Sequence, residues 1–259
     1  MKSLKKISKI GVFDSGAGGL SVVKSLLHEG LFEEIVYFGD TARVPYGIKD
    51  KNTIIRYGLE ALEFYKNFDI DLIITACNTV SAYALNEMSE QSSCDIIGVV
   101  DPGVEAISKK MANKEDEILI IGTKATVASG AYQQRLEALG YTNITAIATG
   151  LFVSLVEEQI LSGKILDETM QHYFGSQSPK AVILGCTHFP LLQQQIDNYF
   201  QNRAQLIHSG DAIVEHLKNR YSVEGGLKTK VRYFASENPD GLKNIAKLWL
   251  GDLYDNCIS

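Results

Sequence analysis

Lys9-Ile-Gly-Val-Phe13-Asp14-Ser15-Gly16-Ala-Gly18-Gly19-Leu20-Ser-Val-Val-Lys-Ser-Leu-Leu27 decides the fold. It opens with an apolar run that lacks polar alternation, passes through small residues, and continues with apolar residues three and four apart. That is the pattern of a strand, a tight turn and an amphipathic helix, the βα unit. Further short apolar runs lie at Ile35 to Phe38, Asp71 to Ala76, Asp95 to Val99, Glu117 to Ile121, Asn143 to Ile147, Ala181 to Leu184, Gln205 to Ile207 and Val231 to Phe234. Helical spacing follows or separates them at Thr53 to Phe64, Tyr132 to Leu139, Leu151 to Leu161, Leu191 to Phe200 and Ala212 to Leu217. Strands this uniformly apolar are buried on both faces, which a parallel sheet between layers of helices provides. The reading is an α/β protein with mostly parallel sheets flanked by helices.

The chain has 259 residues, 45% of them hydrophobic and 22% charged, enough for one large or two smaller cores in a soluble protein. Twenty-five Lys and Arg against 31 Asp and Glu leave a net charge of -6, so no general positive field is present to hold nucleic acid. The lysines near the start, Lys2, Lys5, Lys6 and Lys9, precede an apolar run that Asp14 cuts short, and no stretch reaches membrane-spanning length. A cytoplasmic protein with no membrane partner is expected, and its four cysteines, Cys77, Cys94, Cys186 and Cys257, are expected as free thiols.

Two segments echo each other. Asp71-Leu-Ile-Ile-Thr-Ala-Cys77-Asn-Thr79 resembles Lys180-Ala-Val-Ile-Leu-Gly-Cys186-Thr-His188, and Ile10-Gly-Val-Phe-Asp14-Ser15 resembles Ile118-Leu-Ile-Ile-Gly122-Thr123. The echoes suggest two related lobes, each placing a cysteine just beyond the carboxyl end of a strand, where ligands of open parallel sheets sit. A following helix N-terminus is expected to lower each thiol's pKa, although a cysteine is also simply a small buried hydrophobe. Cys94 and Cys257 lack such a setting.

Other strand ends also carry candidates. Asp14-Ser15-Gly16-Ala-Gly18-Gly19 lets the backbone approach an anion, yet lacks the P-loop lysine and the dinucleotide glycine spacing. A small carboxylate is an equally good guest, and a plain tight turn is the alternative. Asp40-Thr-Ala-Arg43-Val-Pro45-Tyr46-Gly47 combines a carboxylate, a guanidinium and a turn that presents amides or a phenol. Cys186-Thr187-His188 sets an imidazole two residues after a thiol, but His28, His172, His208 and His216 form no zinc-like spacing, so no metal is expected. Two thiols facing one carbon acid from opposite sides would invert its stereocentre, one removing a proton and the other delivering one.

Together, Gly11 to Gly19, Gly39 to Gly47, Ala76-Cys77-Asn78-Thr79, Gly122-Thr123-Lys-Ala-Thr126 and Gly185-Cys186-Thr187-His188-Phe-Pro190 resemble the glutamate racemase family, from about Lys9 to Trp249. The resemblance implies a cofactor-independent racemase of the aspartate/glutamate superfamily that supplies D-glutamate for peptidoglycan. It further implies two pseudo-symmetric lobes, residues 1–99 with 210–259 and residues 100–209, around an interlobe active site. By matched position Cys77 would exchange the α-proton on the D side and Cys186 on the L side, assisted by Asp14 and His188 respectively. Substrate contacts would come from Asp14, Ser15, Tyr46, Gly47, Asn78, Thr79, Thr187 and His188, with Thr123 and Thr126 in addition. Asp40 and Glu157 would give support, Glu157 as an acidic residue near the histidine, although Glu158 is adjacent. Val80 stands where the family often has alanine. Family members often form homodimers, and activation by a cell-wall precursor is left open. Two other functions fit the residues: a racemase of aspartate or another acidic amino acid, and a two-lobed amino-acid binding protein. The second has no need of a thiol on each lobe.

Overall fold

The computed structural model describes residues 5–257, with only the backbone given for residues 256 and 257. Lys2 of the basic start and the Cys257 side chain lie outside the described residues. Five strands, β1 (Lys9–Asp14), β2 (Glu34–Gly39), β3 (Leu72–Thr75), β4 (Asp95–Gly98) and β9 (Lys230–Ala235), form one sheet in the order β4-β3-β1-β2-β9. The other four, β5 (Ile118–Gly122), β6 (Ile144–Ala148), β7 (Ala181–Gly185) and β8 (Gln205–Ile207), form a second in the order β6-β5-β7-β8. Every pairing is parallel. The echoed strands occupy equivalent places, β1 beside β3 and β5 beside β7.

Burial follows strand position. Inner strands β3, β5 and β7 are buried throughout and β1 from Ile10 onward, as their unbroken apolar runs require, whereas the edge strand β6 is half-exposed. The chain passes from the first sheet to the second through helix Val100–Lys110, whose Val100, Val104 and Ile107 pack with Ile118, Ile120 and Ile183. It returns through helix Ser209–Arg220, which gives Ala212 to that core and Ile213, Val214 and Leu217 to the core of the first sheet. The two lobes therefore share a helix layer, and both sheets direct their carboxyl ends toward one cavity.

Two of the expected helices are cut short or divided. The one expected over Leu151 to Leu161 spans Gly150–Glu157. Gln159 takes a left-handed conformation (φ 58°), its amide donates to the Val156 carbonyl, and the Ile160 amide donates back to the Leu155 carbonyl at 2.8 Å, a Schellman-type stop. The one expected over Leu191 to Phe200 divides into a 3-10 turn, Phe189–Leu192, and helix Gln193–Tyr199. At the amino end Lys5 pairs with Asp95 at 3.1 Å, Ile7 is buried in the first core, and Asp71 accepts the Ser8 and Lys9 amides. Among the described residues no helix is long and apolar enough to cross a membrane, and Cys77, Cys94 and Cys186 are free.

Candidate active site

Strand β3 ends two residues before Cys77 and strand β7 one residue before Cys186, so each sheet delivers one thiol to the same place. Both are 6% exposed and both line a cavity of about 330 Å³, within the size range of small-molecule sites. Ser15, Pro45, Tyr46, Gly47, Asn78 and Thr79 line it from the first lobe. Thr123, Glu157, Thr187 and His188 line it from the second.

The thiols stand in different surroundings. Cys77 lies 3.7 Å from the Ser15 hydroxyl, in the N-cap position of helix Asn78–Tyr83. The expected lowering of its pKa is not found: burial foremost, and then the charge of Asp14, push this thiol up to about 12. The Val80 amide and the Ser15 hydroxyl pull it back only in part. Withdrawal from water outweighs the terminus of so short a helix. Cys186 has its sulfur 3.7 Å from Nδ1 of His188, whose Nε2 lies 3.4 Å from Glu157 Oε1. Burial disfavours the imidazolium, but hydrogen bonds to Cys186 and Glu157, with the charges of Cys186 and Asp14, raise His188 to about 10. Glu157, rather than the adjacent Glu158, is the acidic residue beside the histidine.

Asp14 is completely buried, accepting the Gly16 amide at 3.0 Å and the Thr187 hydroxyl at 3.3 Å. Its carboxyl is raised by burial, a rise that His188 and these hydrogen bonds oppose. It makes no hydrogen bond to Cys77 and acts on that thiol through charge. The glycines that follow it provide room rather than unusual backbone angles, since Gly16, Gly18 and Gly19 all have ordinary negative φ. A β-carbon on Gly18 would stand 2.2 Å from Thr187 Oγ1 and 2.8 Å from His188 Nδ1, so the turn is where the two lobes meet. The Gly19 equivalent would stand 2.6 Å from Asp14 Cβ.

Asp40 and Thr126 lie behind the cavity wall. Asp40 is buried and accepts from the Tyr46 phenol and from Arg43 Nε, so the phenol is engaged and the Pro45-Tyr46-Gly47 turn is held against the cavity. Thr126 closes a triangle of hydroxyls with Thr79 and Thr123, at 3.0 and 3.1 Å, that ties the first lobe to the second. Thr123 also caps helix Lys124–Ala128. Spacing gave no sign of Val44, Ile48, Lys124, Gly150, Leu151, Val153 and Ser154, which also line the cavity. Gly150 to Ser154 get there only because β6 lies beside β5. Cys94 does not line this cavity, and it contacts Ser92 in the turn before β4. Among the described residues no His, Cys, Asp and Glu side chains are grouped to hold a metal ion.

Residues 20–217 match the model of a family described as Asp/Glu/Hydantoin racemase. A glutamate racemase of a Nitratiruptor species is 59% identical over 247 residues, covering 95% of this chain and 98% of the relative. The crystal structure of glutamate racemase from Campylobacter jejuni is 55% identical and superposes with a TM-score of 0.93, over 95% of this chain and 99% of its own. That of glutamate racemase from Francisella tularensis in complex with D-glutamate is 30% identical, with a TM-score of 0.78 over 94% and 93% of the two chains.

Proposed function

Because the chain belongs to the Asp/Glu/hydantoin racemase family, we propose that it interconverts L-glutamate and D-glutamate by proton transfer between two thiols, Cys77 and Cys186. One observation carries this reading: each sheet contributes one buried cysteine to a single cavity of amino-acid size. An α-proton leaves one face of the carbon and a different proton arrives on the other, so one thiol must be a base while its partner is an acid. From L-glutamate, the Cys186 sulfur takes the proton as thiolate and Cys77 S–H delivers one to the opposite face; from D-glutamate the roles exchange.

Supporting groups differ on the two sides. Negative charge on Cys186 has the His188 imidazolium alongside, held in turn by Glu157. Cys77, kept protonated by burial and by Asp14, rests as the acid. The two enantiomers are equal in free energy, so both directions use both thiols in turn, and the D-glutamate formed would supply peptidoglycan synthesis in the cytoplasm. The carbanion formed between the two transfers needs fixed donors around the α-carboxylate and exclusion of water. Ser15, Asn78 and Thr79 are the donors on the cavity wall, and the hydroxyl triangle with Thr123 and Thr126 keeps the lobes in register. Asp40 fixes the Tyr46 turn against the substrate.

The test is incubation of the purified protein with L-glutamate, D-glutamate and L-aspartate separately, without added cofactor, followed by optical rotation. Both glutamates should lose rotation and aspartate should not, and Cys77→Ala and Cys186→Ala should each abolish the change. Racemisation of aspartate alone would reassign the substrate. Binding of glutamate without turnover would point to a binding module, and turnover by either alanine variant would remove the two-thiol scheme.

A further inference from the structure

We propose that Tyr132, a second-lobe residue outside the cavity lining, is a positioning residue that sets the amide of Asn78 for substrate. The inference rests on the glutamate racemase reading given above. Tyr132 follows Gly130 and Ala131 at the start of helix Ala131–Ala138, and its ring is buried. Its phenol crosses to the first lobe and donates to Asn78 Oδ1 at 2.6 Å. Asn78, the residue after Cys77, is 2% exposed and lines the cavity, and its Nδ2 is buried without a protein partner.

A buried primary amide without a fixed partner can turn its oxygen or its nitrogen toward a neighbour, and a carboxylate is attracted only to the nitrogen. With Oδ1 occupied by the phenol, the group left to face substrate is the NH2, which otherwise bears the cost of an unmade hydrogen bond. The ring has little freedom to move. A β-carbon on Gly103 would stand 3.1 Å from its Cε1, and one on Gly185, just before Cys186, would stand 3.6 Å from its Cε2. Tyr132 therefore couples the strand end that carries one thiol to the amide beside the other.

Tyr132→Phe keeps the ring and removes the donor. With D-glutamate and L-glutamate, its KM should rise about tenfold while kcat changes less, as expected for loss of a donor to a charged group in both ground and transition states. Its unfolding midpoint should fall modestly, because the buried Asn78 Oδ1 loses its donor. The decisive comparison is a double-mutant cycle with Asn78→Ala: if the tyrosine acts through the asparagine, Tyr132→Phe has no further effect on KM in the Asn78→Ala background. An undiminished effect in that background, or a Tyr132→Phe enzyme with unchanged KM, overturns the assignment. A parent protein that does not racemise glutamate overturns the functional reading instead, and that result is visible before any variant is made.

Discussion

His188 Nδ1 lies 3.7 Å from the sulfur of Cys186, two residues earlier in the same strand-end turn. The pair is buried, and Glu157 stands on the other ring nitrogen. The imidazole is thus held at both ring nitrogens, by the thiol on one side and the carboxylate on the other.

This relationship predicts a pH signature. His188 has its pKa raised to about 10 in the folded protein, from an ordinary 6.5, because its contacts with Cys186 and Glu157 outweigh the burial that opposes its charge. A raised folded-state pKa contributes stability that is complete below the unfolded value and is lost as pH rises through the folded one. Between about pH 6.5 and 10 the parent protein should therefore lose stability relative to His188→Asn, measured by urea unfolding at stepped pH. Parallel curves across that window would show that the imidazolium is not held by the fold.

Asp40 predicts a stability effect separate from chemistry. It is fully buried, one oxygen holds both Tyr46 and Arg43, and the other is unpaired. Asp40→Ala leaves the buried Tyr46 phenol without its acceptor, a loss of about 2 kcal/mol, while the partly exposed Arg43 keeps Glu60. The urea midpoint should fall with little change in slope. A loss below about 0.5 kcal/mol, the range of ordinary surface substitutions, would mean that the pair does not hold the turn.

Gly18 predicts the reverse balance. An alanine there places a methyl group 2.2 Å from Thr187 Oγ1 and 2.8 Å from His188 Nδ1, so the lobes or the imidazole must shift. Displacement on the scale of an ångström at a catalytic geometry costs about 10²-fold in rate. Gly18→Ala should lower kcat/KM by about that factor while keeping the far-ultraviolet circular dichroism of the parent. Full activity would show that the turn is not a tight interlobe contact.

Much of this was legible in the chain. The nine strands among the described residues stand where apolar runs fall, and the inner ones, buried on both faces, show no alternation. Helix Val100–Lys110 gave no clear signal, since Pro102-Gly103 reads as a break; the proline sits in the first turn, where its missing N–H costs nothing. Lys164–Phe174 is only a narrow apolar stripe in a polar segment. Within the site, residues directly after strands were readable because the parallel sheet aims them at the cavity. Tyr132 and the Leu151 to Ser154 segment were not, because only the packing of neighbouring βα units brings them there. The elevation of the Cys77 thiol was likewise hidden: it comes from burial and from Asp14, which is 63 residues earlier in the chain.

If two different thiols handle the leaving and arriving protons, isotope incorporation at early times separates them. L-Glutamate would be incubated in D2O, the reaction quenched within the first few per cent of turnover, and the α-deuterium of each separated enantiomer measured by mass spectrometry. Deuterium is expected in the D-glutamate formed, delivered by a solvent-exchanged Cys77, and none in the L-glutamate recovered, since a proton held on Cys186 returns as protium. Deuterium entering the recovered L-glutamate as fast as the product, or product that keeps its original α-proton, would contradict the two-thiol scheme.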